Sequence, residues 1–287
     1  MLSTNDSLQG RTILISGGSR GIGLAIAKRA AADGASIALL AKTAEPHPRL
    51  EGTIYTAAEE IEAAGGRALP IVGDVREEES VREAVARCVE EFGGIDVVVN
   101  NASAINLEPS AEIPMKRYDL MQQINARGAF LLTRTALPHL CESADPRILS
   151  LSPPLNLAEQ WLGAFPAYML AKYGMTLATL GIGAETSIPA SCLWPRTTIR
   201  TAAVMNVIGG EELYRRSRTP ELYADAAHLL LTGPGAAMAG RTLLCEDVLQ
   251  EAGVTDLGPY SPGVDAAELA TDAFVDSAEG PSPFGRM

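Results

Sequence analysis

Seven short runs of β-branched and aliphatic residues recur along the chain, separated by alanine-rich stretches that carry charged positions. The runs predict buried strands at residues 11–16, 35–41, 68–73, 95–100, 147–152, 188–194 and 241–245. The apolar spacing between them predicts amphipathic helices, most clearly at residues 23–34, 53–66 and 78–94. Strands that alternate with helices imply right-handed crossovers. We therefore expect an α/β fold, a single doubly wound Rossmann-type domain whose mostly parallel seven-stranded sheet carries helices on both faces.

The composition changes after residue 245. Residues 246–287 carry nine acidic side chains and one basic one, together with several prolines and glycines. We therefore divide the chain into a domain at 1–245 and an acidic C-terminal extension at 246–287. The extension is expected to wrap the domain, to contact a partner subunit or to be partly disordered.

Charge and composition exclude some classes of function. The 23 basic and 35 acidic residues give a net charge of -12, which disfavours nucleic acid and anionic membrane surfaces. No apolar run approaches the roughly 18 residues of a membrane span. The four cysteines are far apart and form no metal-ligand pattern, so we expect reduced thiols in a cytoplasmic protein and no metal site.

The first predicted strand runs directly into a glycine-rich turn, SGGSRGIG at residues 16–23. A turn between a first strand and a first helix can bring backbone N–H groups and a helix N-terminus against a pyrophosphate. A plain strand–helix turn is the alternative. If the turn binds a dinucleotide, the residues in contact are expected to be Gly17, Ser19, Arg20, Gly21, Ile22 and Gly23.

The end of the second strand indicates which dinucleotide is preferred. An NAD site usually places a carboxylate there to hold the ribose hydroxyls. This chain has LLAKTAE, in which Ala41 offers no carboxylate and Lys42 offers a cation. Arg20 in the glycine turn can supply a second cation, so a 2'-phosphate would be attracted and NADP is favoured. The alternative is that Lys42 is a solvated lysine at a strand end.

Polar residues also follow the third and fourth strands. Asp74 and Val75 come after the third strand, where a carboxylate can accept a hydrogen bond from the adenine amino group. Residues 100–103 read Asn-Asn-Ala-Ser after the fourth strand, small and polar where the backbone must pass close to a cofactor. These positions extend the predicted site along the same edge of the sheet.

Residues 168–172 read YMLAK, a tyrosine and a lysine four positions apart. On a helix these two side chains lie on the same face, so a phenol and an ammonium would stand side by side. An ordinary exposed helical turn is the alternative for such a pair taken alone. The order of the motifs decides between the two.

The glycine turn, the Asn-Asn-Ala stretch and the Tyr-x-x-x-Lys pair resemble the short-chain dehydrogenase/reductase family over residues 8–245. Longer stretches, among them INARG and SLSPPLNL, narrow the resemblance to one subgroup. Animal members of that subgroup append a sterol-carrier domain, which we expect this chain to lack. The resemblance implies a dinucleotide-binding and catalytic domain that forms a homodimer or homotetramer through helices at residues 110–140 and 161–185.

The resemblance also implies roles for individual residues. Tyr168 would exchange a proton with the substrate oxygen, and Lys172 would lower the pKa of that phenol and bind the nicotinamide ribose. Asn125 would support a proton-relay water beside the lysine. Asn101 would line the nicotinamide ribose, and Ile199 would contact the cofactor from the segment after the sixth strand.

One departure from the family concerns the substrate oxygen. The family usually has a serine after the fifth strand that hydrogen-bonds this oxygen, whereas this chain has Pro153 in the run SPPLN. Proline has neither a hydroxyl nor an N–H. Either Ser152 or Asn156 turns inward to replace the serine, or Tyr168 acts with one fewer donor. In other enzymes the loss of one such donor costs on the order of 10² to 10³ in rate.

Residues 199–219 are expected to form a lid over the substrate, with an apolar lining from Val204, Met205, Val207 and Ile208. Arg215 and Arg216 would suit the anionic end of an acyl substrate, or would balance nearby glutamates at the surface. The first hypothesis is therefore an NADP-dependent reductase of a carbonyl in a small apolar or acyl-type substrate. The alternatives are an enoyl-thioester reductase and a weakly catalytic cofactor- or lipid-binding module.

Overall fold

The computed structural model describes residues 7–46 and 51–276, so residues 277–287 of the predicted extension lie outside the described residues. In the described part, seven strands form one sheet in the order β3-β2-β1-β4-β5-β6-β7. Every neighbouring pair is parallel, which confirms the predicted doubly wound sheet. The strands are β1 Thr12–Ser16, β2 Ser36–Ala41, β3 Arg67–Val72, β4 Val97–Asn100, β5 Arg147–Leu151, β6 Ala190–Trp194 and β7 Arg241–Leu244.

Helices cover both faces of this sheet. They are α1 Gly21–Ala31, α2 Ile54–Ala63, α3 Glu78–Phe92, α4 Met115–Met121, α5 Ala129–Leu140, α6 Glu159–Leu162, α7 Pro166–Thr186, α8 Gly210–Arg215, α9 Glu221–Thr232, α10 Gly235–Met238 and α11 Cys245–Glu251. Two π-helical segments, Gln122–Gly128 and Val204–Ile208, precede α5 and α8. Among residues 7–46 and 51–276, no helix combines the length and apolar character needed to cross a bilayer.

The alternation of side chains along each strand creates two cores. In β1, Ile13 and Ile15 face α1, α2, α9 and α11, whereas Leu14 faces α3 and α5. All three side chains are fully buried. Because both faces of the strand are covered, the run reads as continuously hydrophobic in the sequence.

A third cluster joins the C-terminal segment to the domain. Ala270, Ala273, Phe274 and Val275 are buried with Tyr168. Backbone hydrogen bonds from Thr198 to Ala270 and from Asp272 to Arg196 hold this segment alongside the chain that follows β6. The described part of the extension, up to residue 276, therefore packs against the domain.

We expect the Phe274→Ala substitution to lower the free energy of unfolding by about 3–5 kcal/mol, because it empties a fully buried site. The Phe274 ring lies 5.3 Å from Tyr173 and 6.0 Å from Tyr168, centroid to centroid. Urea denaturation of both proteins measures the difference. Leu157→Ala, at a side chain that is 67% exposed, should change the value by less than about 0.5 kcal/mol. Equal losses in the two variants would show that the segment does not contribute to the core.

Candidate active site

A cavity of about 540 Å³ opens at the carboxyl ends of the strands. Strand order reverses between β1 and β4, and such a switch point leaves a crevice above the sheet edge. Residues at or just after the carboxyl ends of β1 to β6, together with the C-terminal segment, line this cavity. The sheet topology thus gathers the motifs predicted from the sequence into one place.

The glycine turn is built for close approach to the backbone that follows β4. Gly17 has φ +72°, and a Cβ atom there would lie 2.8 Å from the Cα of Ala102. At Gly23 a Cβ atom would lie 2.5 Å from Nδ2 of Asn101. Asn101 in turn donates from Nδ2 to the carbonyls of Ser16 at 2.9 Å and Gly17 at 2.8 Å. Only glycine fits this arrangement, which leaves a preformed cradle at the N-terminus of α1.

Five of the six predicted turn residues line the cavity, and the sixth supports them. The five are Gly17, Ser19, Arg20, Gly21 and Ile22. Gly23 lies behind them against Asn101. Arg20 precedes α1 in extended backbone, and its side chain does not cap the helix. The first turn of α1 therefore keeps N–H groups for a ligand, and the cradle fits a pyrophosphate.

Positive charge collects at the end of the cavity beside β2 and β3. Lys42 Nζ lies 3.0 Å from Asp74 Oδ2, and Arg76 Nε donates to the same carboxylate at 2.9 Å. Burial alone would raise the pKa of Asp74, but these hydrogen bonds outweigh it and hold the pKa well below its usual range. Arg20 donates to the carbonyl of Gly52 at 2.9 Å. Two cations, Lys42 and Arg76, thus share one carboxylate, while Arg20 is held at the loop before α2 and, like Val75, lines the cavity.

Tyr168 and Lys172 stand together on α7 and both line the cavity. They are only 5% and 3% exposed, so the pair is not an ordinary surface turn. Lys172 Nζ donates to the carbonyl of Leu151 at 2.9 Å and lies 5.2 Å from the ring centroid of Trp194. The end of β5 therefore positions the ammonium.

The pKa shifts of this pair differ from the sequence-based expectation. Burial, with the negative charge of Asp272, raises the pKa of Tyr168, although Lys172 was expected to lower it. Burial also lowers the pKa of Lys172 to about 8. Both groups lie deep in the protein, where the charged form of each loses its hydration, and this desolvation is the main cause of both shifts.

Asn125 lies in the π-helical segment Gln122–Gly128 and is fully buried. Its side chain accepts from the N–H of Ala104 at 2.8 Å and donates to the carbonyl of the same residue at 2.9 Å. Asn125 thereby fixes the loop that follows β4, while its neighbour Ile124 lines the cavity. The predicted role beside Lys172 remains a prediction, and π-helical turns often occur at functional sites.

Neither candidate replacement for the family serine faces the cavity. Ser152 is fully buried, and its hydroxyl lies 2.7 Å from Oγ1 of Thr176 on α7. Asn156 donates from Nδ2 to Asp276 at 2.9 Å and so ties its loop to the C-terminal segment. The expectation that Ser152 or Asn156 turns inward is not met, because each side chain is already hydrogen-bonded to another element.

Sequence reasoning missed two contributors to the cavity wall. Trp194, at the end of β6, places its ring near the Lys172 ammonium. Asp272 reaches the wall from the C-terminal segment. The sequence signal for Asp272 is the run ATDAFVD at residues 270–276, in which four apolar residues stand within an otherwise acidic tail.

The segment predicted as a lid folds into the second π-helical segment and α8. Ile199, Val204, Val207 and Ile208 line the cavity, as expected for an apolar lining. Met205 instead lines a neighbouring groove beside α9. Arg216 donates from Nε to the carbonyl of Glu268 at 2.8 Å, so it anchors the C-terminal segment.

Comparison with known proteins agrees with this geometry. The family model described as short chain dehydrogenase matches residues 11–203. Hydroxysteroid dehydrogenase-like protein 2 of Danio rerio is 49% identical over 280 residues, which is 96% of this chain. The human protein of the same name is 45% identical. This chain spans 66% of the length of each of these relatives.

Solved structures show the same fold. A short chain dehydrogenase from Mycobacterium thermoresistibile is 57% identical, with a TM-score of 0.88 over 98% of this chain and 100% of that one. A short chain dehydrogenase from Burkholderia cenocepacia in complex with NADP is 29% identical, with a TM-score of 0.70 over 83% of this chain and 96% of that one. The chain therefore belongs to the short-chain dehydrogenase/reductase family.

Proposed function

We propose that this member of an oxidoreductase family reduces the carbonyl group of an apolar or acyl-type substrate with NADPH, or oxidises the corresponding alcohol. One observation carries the proposal. Tyr168 and Lys172 are buried side by side in a cavity that continues to the glycine turn. A phenol next to an ammonium is a proton-transfer pair, and the glycine cradle fits the dinucleotide that such chemistry needs.

Each cavity residue would have a separate role in the reaction. The nicotinamide would supply or accept the hydride. Because burial raises its pKa, the Tyr168 phenol keeps its proton at neutral pH and can donate it to an oxygen that gains negative charge. Lys172, held by Leu151, would then stabilise the phenolate by its positive charge. Asn101, which follows β4 and hydrogen-bonds to the glycine turn, would line the nicotinamide ribose.

The charges around Asp74 support NADP as the cofactor. Lys42 and Arg20 both line the cavity beside β2, and Ala41 offers no carboxylate to the ribose hydroxyls. Lys42 and Arg76 together carry two positive charges against the one negative charge of Asp74, so this group keeps a net positive charge that would attract a phosphate. The Burkholderia cenocepacia relative, whose structure holds NADP, supports the same choice.

The opposite wall of the cavity supports an apolar substrate. Ile105, Leu107, Val204 and Ile208 face the space beside Tyr168. Such a surface favours hydrocarbon over charged groups because contact removes apolar area from water.

Exposed apolar side chains support association of two copies. Phe130 on α5 is 47% exposed, and Leu170 and Leu177 on α7 are 51% and 57% exposed. These helices are the ones through which family members are expected to pair, so we propose a homodimer or a homotetramer.

Tyr168→Phe should lower the rate of NADPH oxidation by a factor on the order of 10² to 10⁴, because it removes the proton donor and little else. The assay uses purified full-length protein with medium-chain aldehydes, ketones and enoyl thioesters. The dissociation constant for NADPH, measured by fluorescence, should be unchanged. Equally slow oxidation by both proteins would refute the enzyme, and activity confined to the enoyl thioesters would identify the alternative reductase.

Lys42→Ala should weaken NADPH binding by about tenfold, roughly 1.4 kcal/mol, and leave NADH binding unchanged. The loss arises because one of the cations near the 2'-phosphate is removed. Titration of both cofactors gives the two dissociation constants. Lys116→Ala, at an exposed lysine on α4, serves as the matched control. A preference for NADPH that survives in Lys42→Ala would contradict the role assigned to this lysine.

A further inference from the structure

The C-terminal segment holds Asp272 rigidly beside the catalytic pair. The N–H of Asp272 donates to the carbonyl of Arg196 at 2.9 Å. Immediately after it, the indole of Trp194 donates to the carbonyl of Ala273 at 3.0 Å, and the Phe274 ring stacks on Tyr168. The backbone is thus fixed on both sides of Asp272, whose side chain lines the same cavity as Tyr168 and Lys172.

The surroundings of this carboxyl group favour its protonated form. Burial raises the pKa of Asp272 to about 7, while the N–H of Ala273, which donates to Oδ1 at 2.6 Å, opposes the shift. The titratable groups that face it come from three helices: Lys172 and Tyr168 from α7, Tyr223 from α9, and Cys245 and Glu246 from α11. Near neutral pH a substantial share of the molecules therefore carries a carboxylic acid here, which can donate a hydrogen bond.

The cavity otherwise lacks the donor that the family places next to its tyrosine. Pro153 has no group to donate, and Ser152 and Asn156 are hydrogen-bonded to other elements. A carbonyl oxygen that gains negative charge beside Tyr168 would benefit from a second donor. Among the residues that the structure describes, Asp272 is the acidic residue that lines this cavity at the end near Tyr168.

We propose that Asp272 is a catalytic residue that, in its protonated form, donates a hydrogen bond to the substrate oxygen beside Tyr168, in place of the family serine. The proposal rests on the proposed carbonyl reduction. Asp272 keeps its proton throughout, so the proton that reaches the substrate oxygen still comes from Tyr168. Its contribution is to stabilise negative charge as that charge develops on the oxygen.

The test compares Asp272→Ala and Asp272→Asn in full-length protein with NADPH and the best carbonyl substrate of the panel. Asp272→Ala should lower kcat by a factor on the order of 10² to 10³, with the NADPH dissociation constant unchanged. Asp272→Asn keeps an N–H donor of similar size and should stay within about tenfold of the wild type. Asp265→Asn, at an exposed carboxylate of the same segment, should match the wild type.

The pH profile separates a catalytic role from a structural one. The wild-type rate should fall as the pH rises through about 7, because the carboxylate that forms cannot donate a hydrogen bond. An amide does not titrate, so Asp272→Asn should lose this limb. Because the charge of Asp272 raises the pKa of Lys172, any decline that arises from Lys172 should move to lower pH in this variant. At about pH 6, where Asp272 is protonated and Lys172 is charged, a loss of about 100-fold or more in Asp272→Asn would overturn the proposal, even if Asp272→Ala failed to fold.

Failure of this proposal can be told from failure of the proposed function. If Tyr168→Phe abolishes turnover while both Asp272 variants keep the wild-type rate and pH profile, the reductase stands and the role of Asp272 falls. If Tyr168→Phe and the wild type oxidise NADPH equally slowly, the proposed reaction itself is refuted, and the role of Asp272 with it.

Discussion

The burial of the Lys172 ammonium is the constraint on which the site depends. A cation taken out of water destabilises the fold unless other groups replace its hydration. Here the carbonyl of Leu151 accepts a hydrogen bond at 2.9 Å, and the face of the Trp194 ring lies 5.2 Å away. Both partners stand at strand ends, so satisfying the lysine also docks α7 against β5 and β6. Tyr168, one helical turn earlier, is carried into the cavity by the same contact.

The opposite end of the cavity depends on close backbone approach. Gly17 and Gly23 lie so near the chain after β4 that any side chain would collide with Ala102 or Asn101. Asn101 closes the gap by donating to two carbonyls of the turn. One asparagine therefore links the glycine cradle to the end of β4. The sheet that carries both ends of the cavity resists deformation because both of its faces are packed.

Local patterns predicted most of this architecture. The strands and the glycine turn depend on nearby residues, since buried parallel strands read as hydrophobic runs and a tight turn needs glycine. Side chains whose role is set by a distant partner were not predictable. Ser152 bonds to Thr176, and Asn156 bonds to Asp276, 120 positions further along the chain. The direction of the Tyr168 pKa shift was also missed, because it depends on the depth of burial and on Asp272, which no motif marks.

The C-terminal segment joins stability to chemistry. Phe274 fills the space between Tyr168, Tyr173, Trp161 and Trp194, and by excluding water it lowers the dielectric around the Tyr168 phenol. In such surroundings an ammonium and a carboxyl group interact strongly, and each pKa depends on the charge of the other. Lys172 and Asp272 both have pKa values displaced toward neutrality, about 8 and about 7. Small changes in this segment would therefore alter the protonation of the cavity as well as its packing. The segment is thus part of the candidate site, although it lies outside the matched family region, residues 11–203.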